Sequence, residues 1–120
     1  MEDIKIIIAF IWVATMLVYL LGDVMRIFAG DFTPGEVDGK PASKGMWFGA
    51  AAIMLIPIIM VVLTIILENP INKWLNIIVA IIFFVFNLVG LKGYKPYDKF
   101  LLIVSFLFNF LVVLYAWNWV

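Results

Sequence analysis

The chain has no cysteine and no histidine among its 120 residues. The first absence removes disulfides and thiol chemistry, and the second removes imidazole bases, haem ligation by histidine and nearly all zinc or copper sites. Charge is also scarce. Only 13% of residues are charged, with Lys plus Arg and Asp plus Glu balanced at eight each. No basic face is left for nucleic acid, and no acidic tail for a basic partner. The candidate acid and base groups (Asp23, Asp98, Tyr19 and the loop lysines) form no convergent pair in the sequence, so an enzyme is not expected, and no cofactor is implied.

Apolar residues dominate instead, at 67%, against roughly 45 to 50% in soluble domains. Four apolar runs, Ile6 to Gly22, Met46 to Leu67, Trp74 to Leu91 and Phe100 to Val120, compare well with the about 20 residues that a spanning helix needs. Val24, Met25, Ile27 and Phe28 carry the first run past Asp23, toward a stop at Gly30. The expected fold is all-α: a four-helix transmembrane bundle, up-down-up-down, forming a single domain. Its helices fall at about 4–29, 46–67, 70–91 and 97–119, and a polar loop at about 30–45 has no helix of its own. A cleavable leader is not expected, because Glu2 and Asp3 precede Lys5 and no small-x-small site follows before Asp23.

Proline and glycine punctuate the connections. Pro34, Gly35, Gly39, Pro41 and Gly45 mark loop one; Asn69-Pro70 suggests a cap and first residue for helix three, and Pro96 a similar start for helix four. The short second and third loops predict that helices two, three and four are antiparallel neighbours. Pro57 near the middle of helix two predicts a kink, and Gly45, Gly49 and Ala52 a small-residue face for close helix approach. Loops one and three share one side with Arg26, Lys40, Lys44, Lys92, Lys95 and Lys99, whereas the other side has only Lys5 and Lys73. That asymmetry predicts cytoplasmic loops one and three and external termini. Trp47, Tyr94 and Tyr97 on one side, and Trp74, Trp117 and Trp119 on the other, suit the two membrane interfaces, with Trp12 deeper.

The few polar residues inside the runs fall on helical stripes. Trp12, Thr15, Tyr19, Asp23 and Arg26 share an arc of roughly 80° on helix one. Asn76, Ala80, Phe83, Asn87 and Gly90 line helix three, and Asp98, Ser105 and Asn109 line helix four. Lipid cannot satisfy amides and hydroxyls, so the stripes should face inward. Depth counting places Asp23 beside Asn87, Tyr19 beside Ser105 and Thr15 beside Asn109, with Asp23 paired to Arg26 or a loop-three lysine. The candidate binding residues of the resulting polar cavity are Thr15, Tyr19, Asp23, Arg26, Asn87, Asp98, Ser105 and Asn109. Such a cavity suits a membrane lipid or a small apolar molecule. The alternative is a minimal transporter or channel built as a homo-oligomer. An acid well inside helix one, expected of small multidrug exchangers, is absent from positions 6–22.

Three passages, Tyr19-Leu-Leu-Gly-Asp23-Val, Asn72-Lys-Trp-Leu-Asn76-Ile-Ile and Tyr115-Ala-Trp-Asn-Trp119, resemble a group of small bacterial four-helix membrane proteins of unknown function. The resemblance implies a bacterial inner-membrane protein, matches Asp23, Asn72, Trp74, Asn76 and Trp117, and carries no activity with it.

Overall fold

Helix α1 spans Asp3–Phe28 and closes as its residue pattern demands. Gly30 takes φ +78°, and the N–H groups of Gly30 and Asp31 reach back to the carbonyls of Ile27 (3.1 Å) and Arg26 (3.0 Å), the paired bonds of a Schellman stop. A computed structural model describes residues 3–37 and 39–119. Loop one holds a two-residue antiparallel ribbon, β1 Glu36–Val37 against β2 Lys40–Pro41, flanked by positive-φ Gly35 and Gly39. The sequence reading had no strand there. Ser43 then caps α2 (Lys44–Ile66), accepting the Met46 N–H at 3.2 Å. This cap starts the helix two residues before the expected position. Pro57 sits inside α2 without ending it, although it has no N–H to give the Ile53 carbonyl.

The second loop departs from expectation. Helix α3 runs Ile71–Gly90, so Pro70, not Asn69, is the capping residue, and no side chain caps the helix. The buried Asn72 amide supplies the polar closure instead, donating to the carbonyls of Thr64 (2.8 Å) and Leu67 (3.0 Å) at the end of α2. A short 3₁₀ turn at Leu91–Gly93 leads to α4, Pro96–Trp117, with Pro96 at the first turn as expected. All four helices are long and apolar enough to cross a membrane.

Packing is uneven around the bundle. Helix α1 runs along α2 and α4, and α3 runs along α4, but α2 and α3 touch only sparsely. The expected close neighbourhood of α2 and α3 is therefore confined to loop two. A four-residue connection sets their direction but not their separation farther along. The core lies toward that same end, where Ile8, Trp12, Met60, Ile77, Ala80, Val112, Ala116 and Trp119 pack together.

A polar knot pins this end. Trp12 donates its indole N–H to Asn76 Oδ1 at 2.7 Å, and the Thr64 hydroxyl donates to the same oxygen at 3.2 Å. Asn76 Nδ2 donates to the Asn72 carbonyl (2.9 Å) and to Asn72 Oδ1 (2.7 Å). Both donors and both acceptor positions of the Asn76 amide are thus used. Lys5, buried at the start of α1, pairs with Glu68 of loop two at 3.5 Å. Outside, the polarity is inverted: Phe10, Phe28, Phe48, Val89 and Phe100 are exposed, while Thr15, Thr64, Asn72, Asn76, Asp98, Ser105 and Asn109 are buried.

Replacing Asn76 with leucine strands the Trp12 N–H and leaves Asn72 Oδ1 without its donor. An unpaired buried polar group costs about 1–3 kcal/mol. Asn76→Leu should therefore lower the thermal midpoint in mild detergent, followed by far-UV circular dichroism, and a midpoint equal to the parent's would contradict the knot's structural role.

Candidate functional site

The half of the bundle away from the knot is less tightly filled. Where α2 and α3 separate, a cleft of about 150 Å³ opens, walled by Ile53 and Met54 of α2 and Phe83, Phe86 and Asn87 of α3. Helices α1 and α4 form its back with Tyr19, Gly22, Asp23, Arg26, Asp98 and Leu102, and Tyr94 lies near the mouth. Phe83 closes the inner end, stacked on Tyr19 at 6.2 Å between ring centroids and edge-on to Trp12 at 6.4 Å. The cleft thus ends where the core begins.

Arg26 is the hub of the cleft's polar end. Its Nη1 donates to Asp98 Oδ1 at 2.6 Å, and its Nη2 donates to Asp23 Oδ1. The two acids differ in setting: the Asp98 side chain is 4% exposed and that of Asp23 is 52% exposed. The guanidinium also lies over the Tyr94 ring, 5.7 Å from its centroid. The ion pair lies against α1 at Gly22, where a Cβ would stand in ordinary contact, 3.5 Å from both Arg26 Nη1 and Asp98 Oδ1.

One turn inward, Asn87 Nδ2 donates to the Tyr19 hydroxyl at 2.8 Å, joining α3 to α1. Tyr19 also faces Ser105 and Asn109 of α4. Ser105, however, spends its hydroxyl on the Leu102 carbonyl at 2.6 Å, and Thr15 spends its own on the Ile11 carbonyl at 2.8 Å. Neither polar atom of Asn109 has a hydrogen-bond partner among the described residues.

The expected ladder is therefore rearranged. The cleft gathers Tyr19, Asp23, Arg26, Asn87 and Asp98. Thr15, Ser105 and Asn109 are buried beyond it and do not line it, and the Thr15–Asn109 rung is not formed. Asp23 pairs with Arg26 as expected, but the partner of Asn87 is Tyr19, not a group in the Asp23 layer. Sequence reading did not join Arg26 to Asp98, 72 residues away, nor Trp12 to Asn76. A signal for the second pair was present, since both residues fall on the inward stripes. A wider depression of about 220 Å³ between α3 and α4 has walls of Ile81, Phe84, Phe110 and Val113. The amide atoms of Asn109 are sealed away beneath it, which leaves an apolar dimple with no group to orient a ligand.

These features define a four-helix bundle of membrane-spanning length, sealed at one end and cleft at the other. The chain belongs to a family of unknown function, DUF6326, whose pattern matches residues 1–119. No curated protein and no solved structure matches it.

The geometry ranks the two acids. Asp98→Asn removes a buried charge-assisted bond, worth about 1.5–3 kcal/mol, whereas Asp23→Asn touches a half-exposed pair worth about 0–1 kcal/mol. Chemical or thermal unfolding of the two variants in one detergent should reproduce that order, and the reverse order would place the anchoring contact at Asp23. Asn109→Leu trades an unbonded buried amide for an apolar group, so its unfolding midpoint should equal or exceed the parent's. A clear drop would show that Asn109 does have a bonding partner.

Proposed function

We propose that the chain is a non-enzymatic binding protein of the bacterial inner membrane, which holds a membrane lipid or a small apolar molecule in the cleft between α2 and α3. The observation that carries this reading is the cleft itself: aromatic at its inner end, charged at its mouth, and lined by polar side chains from α1 (Tyr19, Asp23, Arg26), α3 (Asn87) and α4 (Asp98). Its volume far exceeds the about 10–15 Å³ that one water needs, and falls below the about 300–1,000 Å³ of drug-sized pockets. A headgroup or a short apolar segment fits that interval. The inverted surface supports the membrane setting. Large exposed Leu, Ile and Phe residues cover the outside, far beyond the few hundred Å² of apolar patch that a soluble monomer displays. The six-to-two excess of Lys and Arg supports cytoplasmic loops one and three, with the cleft opening inward.

A homo-oligomeric transporter or channel is the second reading, and one observation favours it. A methyl group built on Gly49 meets nothing within 4 Å, and one on Gly45 meets only Ser43, so no other helix packs on these two glycines among the described residues.

Native mass spectrometry from lipid nanodiscs tests both readings. The parent should be released as a monomer with retained lipid, and Ile53→Trp, which fills the cleft, should lose most of it. A fixed oligomer without lipid would favour the channel instead. For topology, a periplasmic reporter fused after Val120 should be active and a cytoplasmic one silent; the opposite result would turn the cleft toward the outside.

A further inference from the structure

We infer that the cleft selects a primary ammonium group carried on an apolar chain. The inference rests on the binding reading above and names its ligand chemistry. One guanidinium faces two carboxylates, because Arg26 is bonded to both Asp23 and Asp98, and no lysine lines the cleft among the described residues. With both acids ionised, the polar end keeps one net negative charge. Both terminal nitrogens of Arg26 already have carboxylate partners, so the site is poorly placed to take an anionic phosphate.

The unused groups are mostly acceptors. Each carboxylate spends Oδ1 on Arg26, and neither Oδ2 has a bond among the described residues. Asn87 gives its Nδ2 to Tyr19, and its Oδ1 has no bond among the described residues. A primary ammonium has three N–H donors and no acceptor, which complements these three oxygens. The walls suit the attached chain. Phe83 and Phe86 offer aromatic faces, Ile53 and Met54 an aliphatic side, and the sparse contact between α2 and α3 leaves a lateral exit. Cation attraction to aromatic rings adds to the charge term.

Two sources carry this chemistry: the headgroup of an aminophospholipid, and a free long-chain amine. The test uses the full chain in nanodiscs containing equal parts phosphatidylethanolamine and phosphatidylglycerol, read by native mass spectrometry, with thermal midpoints in maltoside detergent titrated with dodecylamine. Retained phosphatidylethanolamine should exceed phosphatidylglycerol by about fivefold, the upper end for a half-exposed ion pair. Asp23→Asn should bring that ratio to near one while far-UV circular dichroism stays unchanged. Asn87→Leu, which removes the acceptor without altering charge, should reduce the ratio less. Equal retention of both lipids, combined with a saturable dodecylamine stabilisation that Asp23→Asn abolishes, would support the inference with a free amine as the source. Preference for phosphatidylglycerol, or equal retention without any dodecylamine response, would overturn the ammonium inference and leave the cleft a lipid site. No retained lipid and no dodecylamine response would overturn the binding reading as well.

Discussion

The amide of Asn76 is the constraint on which the remaining architecture depends. It is fully buried and uses all four of its hydrogen-bonding positions, on Trp12 of α1, Thr64 of α2 and Asn72 of its own helix. In an apolar surrounding no water replaces a lost partner, so the three helices must meet at this depth. Asn72 extends the constraint by holding the carbonyls of Thr64 and Leu67 as the chain turns. Fixing α2 and α3 at one end has a consequence at the other. Above Thr64, no side-chain hydrogen bond joins α2 to another helix among the described residues, and the two helices separate.

The opposite end is organised by charge. Arg26 belongs to the closing turn of α1, where its carbonyl accepts the Asp31 N–H and its side chain reaches Asp98 at the start of α4. The stop of α1 at Gly30 and its contact with α4 therefore meet at one residue. Asp98 lies in the first turn of its helix, where the unpaired N–H groups favour an acid. Together with the guanidinium, this offsets much of the cost of burying a carboxylate. Tyr97, its neighbour, ties loop one to the same turn through Asp31 at 2.6 Å. These contacts converge on α1, α4 and loop one. Helix α2 takes no part in them.

How much of this was legible follows from what helical periodicity encodes. A 3.6-residue repeat tells which face of a helix turns inward, and Trp12, Thr15, Asn76, Ser105 and Asn109 are all buried as the stripes require. It does not encode tilt or axial register between helices, and a shift of one turn exchanges every partner. Asn87 accordingly meets Tyr19 instead of the Asp23 layer, and Thr15 misses Asn109. Asn72 lies one turn before Asn76, within the arc of the helix-three stripe, but periodicity does not show that its amide meets the end of α2. Its role comes from the turn that places it beside the end of α2. The ribbon in loop one was readable in principle, since Asp38-Gly39 is a common hairpin dipeptide.

Unequal pinning also assigns different mechanical roles to the walls of the cleft. On the α1, α3 and α4 side, directional bonds fix Arg26 to Asp98 and Tyr19 to Asn87, and a change of position there must break them. On the α2 side, Ile53 and Met54 contribute only dispersion and apolar burial, which vary gradually with separation. Pro57 weakens the same stretch further, because the Ile53 carbonyl lacks its helical donor. The bonded wall therefore holds the polar groups in fixed register, while no directional bond fixes the distance of the apolar wall from them among the described residues. That division leaves α1, α3 and α4 joined by directional bonds and α2 held mainly by apolar packing, with the Asn76 knot as the fixed end from which α2 diverges.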